Sequence, residues 1–163
     1  MKKIYLFLLV CILSTAILYA QYPAGSPVDC HGQLKVAGTQ LKDKNNQTVQ
    51  LRGMSSHSLQ WYSQFMTFGA IGTTVSDWDA NVIRAAMYVE TSDYGYLANP
   101  GLKNTVKDIV NIAEQLGIYV IIDWHLINNP TQFKGYAKAF FEEMATLYKD
   151  KPHVIYEIVN EPK

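Results

Sequence analysis

The chain has 163 residues, and its 14 Lys and Arg balance 14 Asp and Glu, so the formal net charge is zero. Hydrophobic residues make up 48% and charged residues 17%, a globular balance that excludes a disordered or coiled-coil chain. There is no basic excess to recruit nucleic acid and no acidic block to act as a solvating tail.

The N-terminus reads as an export signal. Lys2 and Lys3 precede an uncharged apolar stretch from Ile4 to Tyr19, and a small residue, Ala20, stands before the polar "QYPAGSPVD". The stretch is short for a membrane span, which needs about 20 residues. Residues 1–20 are therefore expected to be a cleaved signal peptide carrying Cys11 with it, and residues 21–163 a single domain. The mature protein is expected to be secreted or periplasmic, with no membrane after signal removal; an uncleaved anchor is the alternative. Cys30 is then the one mature cysteine, and with His31 it makes only two candidate ligands, too few for a metal centre.

Next comes "SPVDCHGQLKVAGTQLKDKNNQTVQLRG", in which "KDKNNQ" reads as the turn of a β-hairpin between "TQL" and "TVQL". A rhythm then sets in. Apolar runs begin at Val82 ("VIRAAMY"), Ile118 ("IYVIIDWH") and Val154 ("VIYEIVNE"), evenly spaced and apolar enough for strands buried on both faces. Between them, Asn99 and Pro100 read as the start of a helix. Leu102, Val106, Ile109, Val110, Ala113 and Leu116 form its apolar stripe and Gly117 its stop. A further helix is expected from Thr131 to Lys149, with Phe133, Tyr136, Ala137, Phe140, Met144 and Leu147 on its buried side. "TFGAIGTTVSDWDA" is poor helix material, with two glycines and two threonines, and only a short helix is expected there.

Strand and helix alternating at a fixed period imply parallel βαβ units, either in an open doubly wound sheet or in a (β/α)8 barrel. No G-x-G-x-x-G follows the first strand. Polar residues do gather at each strand's carboxyl end: Ser55, Ser56 and His57; Tyr88 and Glu90; Asp123 and His125; Asn160 and Glu161. That is where barrels assemble active sites, so an α/β fold, the N-terminal half of a TIM barrel preceded by a β-hairpin, is expected. A whole barrel takes about 250 residues, and the chain is expected to stop just past strand four.

Glu161 closes the last apolar run. A carboxyl group at a strand end facing a cleft is partly desolvated, which favours its protonated form and suits it to general-acid work. Asn160 beside it can donate and accept hydrogen bonds to a sugar hydroxyl. On its own, "NEP" is equally a polar turn after a strand.

Together, "RGMSSHSLQWY", "NVIRAAMYV", "GIYVIIDWHLI" and "VIYEIVNEP" closely resemble bacterial endoglucanases of glycoside hydrolase family 5, the cellulase A group. The resemblance runs from about Gly32 to the C-terminus. It implies an endo-β-1,4-glucanase that hydrolyses β-1,4-linked polysaccharide, such as cellulose or mixed β-glucan, with retention. It implies no cofactor or metal, and a monomer when complete. Glu161 takes the general acid/base role, Asn160 the hydroxyl beside the reacting carbon, Arg84 the pairing with the nucleophile, and His125 a place in the cleft near the reacting sugar. His57, Trp61, Tyr62 and Tyr88 match substrate-binding positions. An aromatic face stacking on a pyranose ring suits that role, and Arg84 in an apolar run demands an anionic partner. Ser58 and Asp79 stand where glycine is usual and are expected to strain their turns.

The resemblance places the nucleophile on a seventh strand that the chain does not contain, so the isolated segment is expected to be inactive. A retaining pair needs carboxyl groups about 5–5.5 Å apart. Glu157 lies on the same strand as Glu161, roughly 13 Å away at strand rise, and Glu90 is closer only by topology. A mannanase or xyloglucanase on the same barrel is the near alternative. The more distant ones are a metal-dependent hydrolase built on Asp123 and His125, and a non-catalytic glycan-binding fragment.

Overall fold

The computed structural model describes residues 22–127 and 129–162. The signal-peptide reading of residues 1–20 lies outside the described residues. Among those described, no helix is long and apolar enough to cross a membrane.

The first described element is a short helix, α1 (Pro27–His31), which the sequence reading passed over. Its start signals are ordinary ones: Ser26 caps it by accepting from the Asp29 N–H, and Pro27 occupies the first turn. A hairpin follows, β1 (Lys35–Ala37) paired antiparallel with β2 (Gln40–Lys42). Its turn falls at Gly38, one element earlier than expected. "KDKNNQ" is nonetheless a turn, organised by Asp43 Oδ1 accepting from the Asn45 and Gln47 N–H groups, and an antiparallel bridge joins Lys42 to Thr48 across it.

Four parallel strands make the main sheet, in the order β3 (Gly53–Ser55), β4 (Val82–Tyr88), β5 (Tyr119–His125) and β6 (Val154–Glu157). Sequential parallel order with intervening helices is the arrangement of a (β/α) barrel wall, as the polar strand ends implied. Gly53 is required by closeness: a Cβ there would stand 1.8 Å from the Val82 carbonyl oxygen. The helices are α2 (Leu59–Tyr62), α3 (Phe68–Trp78), α4 (Leu102–Leu116) and α5 (Lys134–Tyr148).

Because side chains alternate along a strand, each strand serves two layers. Ile83, Ala85, Met87, Val120, Ile122, Trp124 and Val154 face the helices and form the main core with Val106, Ile109, Val110, Phe140 and Met144. The opposite face carries Val82 and Tyr119 at its base, packed with Tyr22 and Val28 in a second cluster, and above them Arg84, Asp123 and Glu157. The polar residues thus share one face, toward the strands' carboxyl ends.

Several expectations need correction. The α3 segment forms a full helix of 11 residues despite its glycines, since Thr67 caps it through the Ala70 N–H and Ile71 anchors it in the core. The cap of α4 is Gly101 rather than Asn99, whose side chain instead accepts from the Gly101 N–H ahead of the helix. On α5, Tyr136 and Leu147 are exposed. The buried side turns toward Phe141 and Tyr148, because the sheet offers Trp124 and Tyr156 as ring partners there. Asp79 does adopt left-handed backbone, with φ 56° at the end of α3. Ser58 does not: its φ is −49°, and its peculiarity is a buried hydroxyl with no hydrogen-bond partner among the described residues.

Candidate active site

Strand β4 presents Arg84 on the polar face, flanked by β3 on one side and β5 on the other. Its guanidinium forms a fork with Glu157 of β6: Nε donates to Oε2 and Nη2 to Oε1, each at 2.7 Å. Nη2 also reaches Asp123 Oδ2 at 2.9 Å and Asn160 Oδ1 at 3.0 Å, and Nη1 donates to Ser55 Oγ at 3.3 Å. Hydrogen bonding to Glu157 and the two nearby carboxylates outweigh burial and push the Arg84 pKa up, so it stays charged.

The fork adds a partner for Glu157 that the sequence does not display. Both Glu157 oxygens are committed to Arg84. The parallel register aligns Asp123 with Glu157 across β5 and β6, which puts two carboxylates beside one arginine. The two-residue period with Arg84 on the same face was the available signal, and it depends on a register that no single sequence displays.

Arginine carries donors only, so the Asn160 side chain must turn its oxygen to Arg84 and its amide nitrogen away. Asn160 therefore offers a donor to whatever occupies the cleft. Glu161 follows it, four residues beyond the end of β6, and is exposed. The expected enclosure of Glu161 is absent among the described residues. The strand is shorter than its apolar run, because Ile158 is 70% exposed and the chain leaves the sheet after Glu157.

On β5, Asp123 is fully buried, and its Oδ2 meets His125 Nδ1 at 2.6 Å as well as Arg84. Burial pushes the Asp123 carboxyl pKa up, while the His125 bond and the Arg84 charge hold it down in part. His125 stacks on Tyr88, ring centroids 4.2 Å apart and 23° from parallel.

Beside this floor runs an aromatic ledge from α2 and the turn before it. His57 stacks on Tyr62 at 5.4 Å and meets Trp61 and Tyr88 edge-on at 6.3 Å. Trp61 lies 6.2 Å from Tyr88 and is 46% exposed, Tyr62 44%. Ser55, Ser56, His57, Tyr62, Phe65 and Met66 line a hollow of about 310 Å³. Every site residue named from the sequence thus lies at one end of the sheet. Among the described residues no three His, Cys, Asp or Glu side chains are grouped to hold a metal ion.

Residues 42–163 match the family described as Cellulase (glycosyl hydrolase family 5). The chain belongs to that family. It is 44% identical to Endoglucanase N of Pectobacterium atrosepticum, over 99% of this chain and 36% of the relative. It is 47% identical to an endoglucanase of Clostridium saccharobutylicum, over 99% and 37%. The catalytic domain of Thermobifida fusca endoglucanase Cel5A superposes with a TM-score of 0.80 at 40% identity, covering 85% of this chain and 46% of that one. The chain thus spans about a third of the length of the curated relatives it matches.

Proposed function

We propose that this chain is the N-terminal part of the catalytic domain of an exported endo-β-1,4-glucanase that works with retention. The observation that carries the reading is the Arg84 node. One cation, fixed by Glu157 and Asp123, orients Asn160 directly before Glu161 and stands next to His125 and the aromatic ledge. In support, a variant of Thermobifida fusca Cel5A has been solved in complex with cellotetraose, and that structure is 39% identical to this chain with a TM-score of 0.79.

In this reading the glycan lies over the ledge, with Trp61, Tyr62, His57 and Tyr88 taking the apolar faces of pyranose rings. Asn160 donates to the hydroxyl beside the reacting carbon. Glu161 protonates the leaving glycosidic oxygen, then takes a proton from the water that opens the glycosyl-enzyme. The opposing carboxylate must stand about 5–5.5 Å away, and Glu157, held by Arg84, cannot serve. It comes from a part of the enzyme beyond these residues, which leaves the 163-residue chain inactive.

The test is hydrolysis of β-1,4-glucan, mannan and xyloglucan by the chain carried to its relatives' length, with the anomeric form of the fresh product followed by NMR. Cleavage of glucan to β-anomeric product is expected. Inverted product, or no cleavage of any β-glycan, overturns the reading.

A further inference from the structure

We propose that Asp123 is a positioning residue that holds His125 in the Nδ1–H tautomer, so that Nε2 meets the substrate as a hydrogen-bond acceptor. The neighbouring charge favours one assignment. Asp123 Oδ2 lies 2.9 Å from Arg84 Nη2 and 2.6 Å from His125 Nδ1. Arg84 is a permanent cation against Oδ2 and favours the ionised carboxylate, whose oxygens can only accept. A short contact from an unprotonated oxygen to a ring nitrogen requires that nitrogen to be the donor, and the neutral ring then has its free lone pair on Nε2.

Besides helping to fix Arg84, Asp123 acts from beneath the site. It is fully buried beneath the floor and cannot touch a glycan, and its other oxygen, Oδ1, is buried without a partner among the described residues. The Tyr88 ring, stacked at 4.2 Å, holds the imidazole plane while Asp123 holds its rotation. Asn160, turned by the same arginine, presents a donor. The floor therefore offers a donor from beside β6 and an acceptor from β5, set by Arg84 and Asp123 respectively. That His125 faces a sugar hydroxyl rests on the proposed function; the tautomer does not.

The experiment is 15N-detected NMR of the histidine rings in the chain itself, well above the ordinary imidazole titration near pH 6.5, for the wild type, Asp123→Asn and Asp123→Leu. In the wild type, His125 is expected to show a protonated Nδ1 and a bare Nε2. Asp123→Asn keeps this pattern, because Arg84 holds the amide oxygen in place of Oδ2. Asp123→Leu, with no acceptor left, moves the proton to Nε2. A wild-type ring protonated at Nε2, or one unchanged in Asp123→Leu, overturns the proposal. Should the leucine variant not fold, the wild-type and Asp123→Asn spectra decide alone, since loss of the Nδ1 proton in either contradicts it. Failure of the glycosidase reading would leave these spectra unaltered.

Discussion

Arg84 and Glu157 sit 73 positions apart in sequence and are joined by two parallel hydrogen bonds of 2.7 Å, one from Nε and one from Nη2. The pair is only partly buried, with side chains 21% and 31% exposed, so solvent screens it in part. Its value lies as much in geometry as in energy, because the fork fixes the arginine that in turn orients Asn160. Glu157→Gln replaces one acceptor with an amide group facing a donor. A loss of about 1–3 kcal/mol is expected in urea unfolding, and an unchanged midpoint would show the fork to be energetically idle.

Trp61 contributes ring surface and little to the core, at 46% exposed. In the chain extended to its relatives' length, Trp61→Ala is expected to weaken cello-oligosaccharide binding several-fold, roughly 1 kcal/mol from lost stacking, with the unfolding midpoint unmoved. Calorimetric titration reads the first quantity. Undiminished affinity removes Trp61 from the glycan path.

His153 gives the fold a pH dependence away from the site. It is buried, takes the Tyr22 hydroxyl on Nδ1 at 2.8 Å and faces the Val110 carbonyl through Nε2 at 3.3 Å. Burial, aided by Lys151 and opposed by Glu114, holds its pKa below the usual 6.5. A group depressed on folding contributes stability that is present above its unfolded value and is lost as the pH falls through its folded one. Melting temperature is therefore expected to drop on acidification below about pH 6.5. His153→Gln should flatten that part of the profile, and an equally steep profile in the variant would assign the acid loss elsewhere.

Asp79 ends α3 in left-handed backbone, φ 56° and ψ 35°, where a side chain is disfavoured. Its ion pair with Arg52 is exposed, with side chains 52% and 90% accessible, and offsets little. Asp79→Gly is expected to stabilise the chain by up to roughly 1 kcal/mol, read as a higher denaturation midpoint. A lower midpoint would mean that the ion pair outweighs the strain.

Much of this architecture was legible because it depends on local pattern. The β4 run begins and ends where "VIRAAMY" does, and the α4 stripe from Leu102 to Ala113 is buried as its spacing requires. What escaped depends on partners far along the chain. Helical spacing does not settle the α5 face, because Tyr136 and Phe141 are both aromatic, and the ring partners Trp124 and Tyr156 across the interface select Phe141. The partnership of Glu157 with Arg84 depends on the register of three strands and on side-chain reach across β5, which no local pattern displays. Glu161 was expected in a walled cleft and lies exposed, since the wall around it belongs to the tertiary structure and not to the motif.

The most direct measurement of the central claim is the rate of Glu161→Gln, in the chain carried to its relatives' length, on two cellobiosides. One has an ordinary sugar as leaving group, and the other an aryl group acidic enough to depart unprotonated. The account predicts a fall of about 10²–10⁴-fold on the first, and a much smaller effect on release of the aryl group in the first turnover. Wild-type rates on the sugar-leaving substrate would contradict it.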